Sequence, residues 1–248
     1  MRLKALLLCG LLAAPLSTLA APDAPLRVAV ASNFAATLAT LVDRYAAETG
    51  EPITTSSAST GALYAQVIHG APFDLLLAAD SARPARLQRE GFTLGAPQTY
   101  ALGQLVLAYQ PHLADTAKRG IGALLSHPGI NLAIANPELA PYGVAAKAVL
   151  ARTPAAQPRL LTAANVSQAM QMWVTGGADA AFVAASFQPA QKLPVPPEWY
   201  PAIEQQALVL ASSPHADRAR ALLDWLTGPT ARDIIRASGY SLPGDNDD

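Results

Sequence analysis

Three segments of the chain repeat one pattern, in which an apolar run typical of a buried strand ends in small polar residues and helical spacing follows. The first run, Leu26–Ala31, ends at Ser32 and Asn33. The second, residues 53–57, ends in a hydroxyl-rich segment before Gly61, and the third, residues 75–79, ends at Asp80. Successive strand–helix units of this kind predict an α/β fold with parallel strands and right-handed crossovers.

The polar residues at these corners have two possible roles. The first backbone N–H groups of a helix have no intrahelical partner, and the peptide dipoles direct positive charge towards them. Ser32 and Asn33 can therefore simply cap the helix that follows. The corner can also hold an anion that takes those donors instead. One corner alone leaves both roles open. The repetition of the pattern along the chain is what favours an anion site.

A second strand–helix series follows the first. Residues 105–109 and 130–135 read as strands, 136–143 as a loop, 144–150 and 166–174 as helices, and 180–183 as a further strand. The final strand signal, residues 207–211, precedes two terminal helices. We therefore predict one lobe from residues 21–104 and 208–248, a second from 105–207, and two crossovers between them. A ligand would bind in the cleft, beyond the carboxyl ends of the strands.

Composition and the N-terminus indicate an exported protein. Residues 1–20 have the pattern of a cleavable signal peptide, with Arg2 and Lys4 before an apolar run and Thr18-Leu19-Ala20 at the cleavage site. Removing them leaves 15 basic against 18 acidic residues, a net charge of −3, and also removes Cys9, the chain's one cysteine. An acidic mature chain without disulfides is a poor candidate for nucleic-acid binding, and we expect it in a bacterial periplasm.

Four segments together resemble the molybdate/tungstate-binding proteins of bacterial ABC importers. They are Val-Ala-Val-Ala-Ser32-Asn33-Phe; Ser59-Thr60-Gly-Ala-Leu-Tyr with the later Gly70-Ala-Pro-Phe-Asp; Asn136-Pro through Pro-Tyr142-Gly143; and Ala164-Asn165-Val166-Ser-Gln-Ala. The resemblance spans nearly the whole mature chain in order. It implies the two-lobed type II periplasmic binding protein fold, in which each lobe is a mixed, mostly parallel sheet flanked by helices, with two crossover segments.

The resemblance also implies the site residues. By position they are two residues of the first corner, one hydroxyl of the second, and two helix starts in the other lobe: Ser32, Asn33, Thr60, Tyr142 and Val166. Thr60 replaces the serine common in the family, and Ala184 stands where one branch has a tyrosine. Any tyrosine contribution must therefore come from Tyr142, through its backbone or its phenol. Val166 would contribute its amide.

A site of this kind would hold a tetrahedral dianion by neutral donors. We expect no lysine or arginine in it, and interpret Arg83, Arg86 and Arg89 as a solvated helix face. The resemblance further implies no resident cofactor, molybdate or tungstate as the ligand, and an inner-membrane ABC permease as the partner. We expect a monomer that does not bind nucleic acid.

Three other functions are weighed against this one. A binder of sulfate or another tetrahedral oxyanion would share the architecture. A secreted hydrolase is disfavoured, because the sequence has no Gly-x-Ser-x-Gly or Ser-x-x-Lys motif and its four histidines are scattered without metal-ligand spacing. A transcription regulator is opposed by the signal pattern and by the lack of a DNA-binding segment.

Overall fold

The computed structural model describes residues 24–153 and 156–245, which form two lobes, each built on a five-stranded sheet. The predicted signal peptide lies outside these residues. No helix within the described ranges is long and apolar enough to cross a membrane.

The chain first builds most of one lobe. Its elements are β1 (Leu26–Ala31), a 3-10 turn (Ser32–Phe34), α1 (Ala35–Thr49), β2 (Ile53–Ala58), α2 (Thr60–Ile68), β3 (Leu75–Ala78), α3 (Ala82–Arg89) and β4 (Gln98–Gly103). Helix α1 buries Leu38, Leu41 and Tyr45 on one face and ends at Gly50. Gly50 has a φ of 74° and donates its N–H to the Ala46 carbonyl, so a residue without a Cβ suits this helix end.

The chain then crosses into the second lobe. Its elements are β5 (Leu105–Tyr109), a 3-10 turn (Pro111–Leu113), α4 (Ala114–Ala117), α5 (Ile121–Leu125), β6 (Asn131–Ala135), α6 (Pro141–Ala151), β7 (Arg159–Ala163), α7 (Val166–Val174), β8 (Ala180–Ala184), a 3-10 turn (Ala185–Phe187), β9 (Lys192–Pro194) and a 3-10 turn (Pro197–Trp199). It returns to the first lobe for β10 (Ile203–Val209), α8 (Ala216–Leu226) and α9 (Pro229–Ala237).

The two sheets have equivalent topology. The first has the order β2-β1-β3-β10-β4, and the second has the order β7-β6-β8-β5-β9. In each sheet, two neighbouring strand pairs are parallel and the other two are antiparallel. The antiparallel pairs are those of the strand that arrives by a crossover, β10 in the first sheet and β5 in the second, because this strand runs against its neighbours. The predicted two-lobed α/β fold is confirmed, with parallel and antiparallel pairings in equal number rather than mostly parallel.

The structure corrects the predicted return crossover. Strand β10 begins at Ile203, which pairs with Gly103 of β4, so residues 203–207 belong to the first lobe and not to the second as predicted. The start of β10 alternates buried and half-exposed positions and carries Glu204, Gln205 and Gln206. Only its apolar end gave a clear strand signal. We hereafter define the first lobe as residues 24–103 and 203–245, and the second as the described residues between them.

Three shorter elements also differ from expectation. Strand β7 was not predicted, because it is an edge strand whose residues are mostly exposed. Strand β9 lies in a proline-rich segment for which the sequence analysis predicts no strand. Helix α6 begins at Pro141, three residues before the predicted start, since proline at the first position of a helix has no N–H to leave unpaired.

Apolar packing holds each lobe together and also joins them. Leu38, Leu41, Leu75 and Leu77 are buried in the first lobe, and burying each such side chain contributes about 1.5–3 kcal/mol. Ala31 ends β1 and Ala79 follows β3, yet both belong to the buried cluster of the second lobe. The carboxyl ends of the first-lobe strands therefore face the other lobe, and the cleft lies there.

Candidate oxyanion-binding cleft

The first corner is fixed from behind by residues distant in sequence. The Asn33 amide donates to Gln205 Oε1 at 2.8 Å and to the Tyr240 phenol at 3.0 Å. Both side-chain N–H bonds of Asn33 are thus directed away from the cleft. Donation to a ligand from this corner must therefore come from the Ser32 hydroxyl and from backbone N–H groups at the start of the 3-10 turn. Both residues are buried.

The second corner presents a hydroxyl held in a fixed orientation. Thr60 is fully buried at the first position of α2, and its Oγ1 accepts the Ala79 N–H at 3.0 Å. The Ser59 side chain caps the same helix. Since a hydroxyl has one donor and two acceptor sites, Thr60 can still donate its O–H bond. Its acceptor role joins the second corner to the end of β3.

Helix α7 begins at Val166, one of the five predicted site residues. The Asn165 side chain accepts the Gln168 N–H at 3.0 Å, and Gln168 Oε1 accepts the Ala164 N–H at 3.0 Å. This reciprocal cap leaves the first N–H groups of the helix, those of Val166 and Ser167, without an intrahelical partner. The Val166 side chain is buried in the second-lobe core. Only its amide is suited to a ligand.

Tyr142, at the second position of α6, extends from the second lobe to the first. Its phenol oxygen is so close to Gly103 that a Cβ there would overlap it, and it lies near Gln205. The hydroxyl is fully buried and makes no hydrogen bond within the described residues. Burial raises the pKa of Tyr142 well above its usual range, and the nearby phenols of Tyr240, Tyr200 and Tyr100 act in the same direction. The Asn33 amide has a smaller, opposite effect on this pKa. Its two N–H bonds are donated to Gln205 and Tyr240. Tyr142 is therefore a neutral donor.

Direct contacts between the lobes bring these positions together. The Ser167 hydroxyl donates to the Ser32 carbonyl at 3.0 Å, which places the start of α7 against the first corner. The Gly61 N–H donates to the Leu139 carbonyl at 2.8 Å, which places the start of α2 against the loop that leads to Tyr142. The predicted residues of the two lobes thus lie next to the contacts that join the lobes. Their role as ligands stays a prediction.

Arg83 departs from the sequence interpretation. Arg86 and Arg89 are exposed, as expected of a solvated helix face. Arg83 instead points across the cleft, where its guanidinium donates to the Glu138 carbonyl of the second lobe at 2.8 Å. A basic side chain therefore lies at the cleft rim, next to Gly61.

A separate cavity lies beside the crossovers and is not the predicted site. It has a volume of about 410 Å³, and its lining includes Gly103, Leu105, Val195, Tyr200 and Ile203. None of the five predicted residues lines it. Among the described residues, no group of three or more histidine, cysteine, aspartate or glutamate side chains is placed to hold a metal ion.

Comparison with known proteins decides the family. The sequence model of the bacterial extracellular solute-binding protein family matches residues 26–241. The chain belongs to this family. It is 39% identical over 244 residues to the molybdate-binding protein ModA of Azotobacter vinelandii, covering 93% of this chain and 95% of the relative. It is 36% identical over 221 residues to the protein of the same name from Rhodobacter capsulatus, covering 86% of each.

A solved structure agrees with this extracellular solute-binding assignment. The periplasmic molybdate-binding protein of Azotobacter vinelandii superposes with a TM-score of 0.82 at 37% identity, covering 88% of this chain and 99% of that one. The resemblance read from the four sequence segments is confirmed.

Proposed function

We propose that this solute-binding protein captures molybdate, and also tungstate, in the interlobe cleft and delivers it to an ABC permease of the inner membrane. The observation that supports the proposal is that residues with neutral donors lie on both lobes, next to the hydrogen bonds that join the lobes. The names of the relatives, molybdate-binding proteins, support the choice of ion. The predicted signal peptide supports a periplasmic location.

The donor set suits an ion that carries no proton. Hydroxyls of Ser32 and Thr60, amides at the helix starts and the Tyr142 phenol can all donate, and none of the five residues is a carboxylate. A hydrogen bond to a charged group contributes roughly 1.5–3 kcal/mol. Several of them can offset the loss of hydration of a dianion without a formal positive charge. Protonated phosphate would find no carboxylate at these positions to accept its own O–H group.

The Tyr142 phenol is the donor for which the structure adds most support. A buried hydroxyl without a partner is costly, and a ligand oxygen would supply one. Tyr100 shares the property, since its hydroxyl is also buried without a partner among the described residues. Tyr100, however, packs within the first-lobe core against Phe34, whereas Tyr142 bridges the lobes beside the first corner. We therefore assign Tyr142 a phenol contribution in addition to its amide.

Sulfate must be excluded by size, because it carries the same charge and needs the same donors. Donors fixed by bonds such as Thr60 to Ala79 and Asn165 to Gln168 cannot follow a smaller ion inward. The donor sites belong to both lobes, so the ion would bind the closed form better than the open form and shift the population towards it. The closed monomer would then be the form that the permease recognises, and no chemical reaction is involved.

Calorimetric titration of the anion-stripped mature protein with molybdate, tungstate and sulfate tests this function. We expect tight one-to-one binding of molybdate and tungstate and no heat from sulfate. Binding of sulfate alone would assign the protein to another importer. Binding of none of the three would leave the corners as helix caps and overturn the proposal.

A further inference from the structure

Arg83 is held rigidly at the cleft rim. Its backbone N–H donates to Asp80 Oδ1 at 2.8 Å, and its Nη1 donates to Asp80 Oδ2 at 2.7 Å. The side chain is 24% exposed, against 58% for Arg86 on the same helix. A carboxylate that fixes both the backbone and the guanidinium leaves the other nitrogen, Nη2, pointing in one direction.

That direction is across the cleft. Arg83 Nη2 donates to the Glu138 carbonyl, and the neighbouring Leu139 carbonyl accepts the Gly61 N–H, each at 2.8 Å. The two lobes approach so closely here that a Cβ on Gly61 would lie 2.8 Å from Leu139 O and 3.1 Å from Arg83 Nη2.

The accepting loop is itself well ordered by hydrogen bonds. The N–H of Glu138 donates to Asn136 Oδ1 at 3.0 Å, and the N–H of Ala140 donates to the Asn136 carbonyl at 2.8 Å. This turn fixes the direction of its carbonyls and leads directly into α6, which carries Tyr142. A bond to the Glu138 carbonyl therefore holds the part of the second lobe that positions Tyr142.

We propose that Asp80, Arg83 and the Glu138 carbonyl form a cleft clasp that slows release of the bound anion without touching it. The inference rests on the proposed function for the identity of the anion. Arg83 is a positioning residue, because its interlobe bond forms when the lobes close and breaks when they open. A contact made only in the closed form changes the dissociation rate more than the association rate.

The charges of the clasp also indicate an effect on the dissociation rate of the anion rather than on its association rate. Asp80 neutralises Arg83 at 2.7 Å, so the pair has little long-range attraction for an approaching anion. The acceptor across the cleft is a backbone carbonyl, and the Glu138 side chain takes no part in the bond. The clasp therefore acts through a local bond after closure.

The test compares Arg83→Gln with wild type by the release of radiolabelled molybdate into an excess of unlabelled molybdate. We expect release to become about tenfold faster, which corresponds to roughly 1.4 kcal/mol, with the association rate within twofold of wild type. Arg83→Lys should be intermediate, because one ammonium cannot reproduce the guanidinium fork that serves Asp80 and Glu138 together.

Two control variants separate the clasp from general surface effects. Arg86→Gln removes an exposed arginine of the same helix that pairs with Glu90, and it should release molybdate like wild type. Glu138→Ala removes the carboxylate but keeps the carbonyl, and it should also behave like wild type. Unchanged release from Arg83→Gln, or an equal acceleration from Glu138→Ala, overturns the clasp.

A measurement without ligand keeps the clasp testable if the anion is wrongly assigned. Small-angle X-ray scattering of the anion-free protein should give a larger radius of gyration for Arg83→Gln than for wild type, because the open form gains population. Failure of the wild type to bind molybdate would count against the proposed function only. Identical scattering curves for the two proteins would then overturn the clasp by themselves.

Discussion

The phenol oxygen of Tyr142 occupies the space that a Cβ on Gly103 would need, so the two lobes fit together here only because residue 103 is glycine. Gly103 ends β4, the last first-lobe strand before the first crossover. Its φ is not in the left-handed region. The requirement for glycine is therefore one of space and not of backbone conformation.

Gly103→Ala should consequently displace the Tyr142 side chain and weaken molybdate binding by tenfold or more. The added methyl group would also come within 2.9 Å of Gln205 Nε2, and Gln205 holds Asn33 in the first corner. Overpacking of this kind costs about 1–3 kcal/mol of folding stability. Titration calorimetry and urea unfolding measure the two effects separately.

Gly122→Ala is the matched control for that substitution. Gly122 lies in α5, and a Cβ there would meet nothing within 4 Å. We expect its affinity for molybdate to equal that of wild type and its stability to be unchanged or slightly higher, because alanine restricts the unfolded chain. Wild-type affinity in Gly103→Ala would show that the Tyr142 position does not matter for binding.

Tyr142→Phe should lower the affinity for molybdate without lowering the stability of the protein. The phenol has no hydrogen-bond partner among the described residues, so removing it should leave the free energy of unfolding of the anion-free protein unchanged or raise it. Affinity for molybdate should fall by roughly 1.5–3 kcal/mol, since a donor to a charged group is lost. Calorimetry on the same samples used for unfolding checks both.

Tyr100→Phe provides the comparison for this prediction. It removes another buried phenol without a partner in the described part of the chain, but one that packs against Phe34 in the first-lobe core. Stability should respond as in Tyr142→Phe, and molybdate affinity should not change. If both variants bind like wild type, the contribution of Tyr142 is limited to its backbone.

Thr60→Ala should lower both stability and affinity. The Ala79 N–H loses its acceptor in a fully buried position, which costs about 1–3 kcal/mol of folding free energy. The same change removes a donor to the anion, and we expect a similar loss of binding free energy. Thr60→Ser keeps the hydroxyl and should retain most of the affinity. Equal affinities for Thr60→Ala and Thr60→Ser would remove this hydroxyl from the site.

The sequence was most informative where a local pattern determines the structure. Ser32, Thr60 and Val166 each lie at a junction between a strand signal and a helix signal, and such junctions depend on neighbouring residues. Parallel strands bring their carboxyl ends to one edge, so the convergence of the corners followed from topology. For that reason the cleft could be predicted without knowing any contact across it.

Contacts between distant residues could not be predicted in the same way. Arg83, Arg86 and Arg89 follow one another at equal spacing, and the difference between them arises from the Glu138 carbonyl, 55 residues further along the chain. Asn33 donates its amide to Gln205 and Tyr240, 172 and 207 residues away. No local pattern indicates that this side chain turns away from the cleft.

Alkaline pH should destabilise the protein through Tyr240. Its phenol donates to the Asn33 carbonyl at 2.8 Å and is buried. Burial raises the pKa of Tyr240 from 10.0 to about 12, with Ser186 and Asn33 opposing the shift. The folded protein thus favours the neutral phenol. Its stabilising effect is complete below pH 10, the unfolded value, and is lost as pH rises from 10 to 12.

A pKa raised from 10.0 to about 12 corresponds to about 3 kcal/mol, so the contribution of Tyr240 to the free energy of unfolding should fall by roughly this amount over that range. Urea unfolding at intervals from pH 8 to pH 12 measures it, and Tyr240→Phe should show a correspondingly smaller decline. Molybdate affinity should stay constant between pH 7 and pH 9, because the neutral phenols of Tyr240 and Tyr142 do not titrate there. A loss of affinity in that interval would mean that a group with a lower pKa controls the cleft.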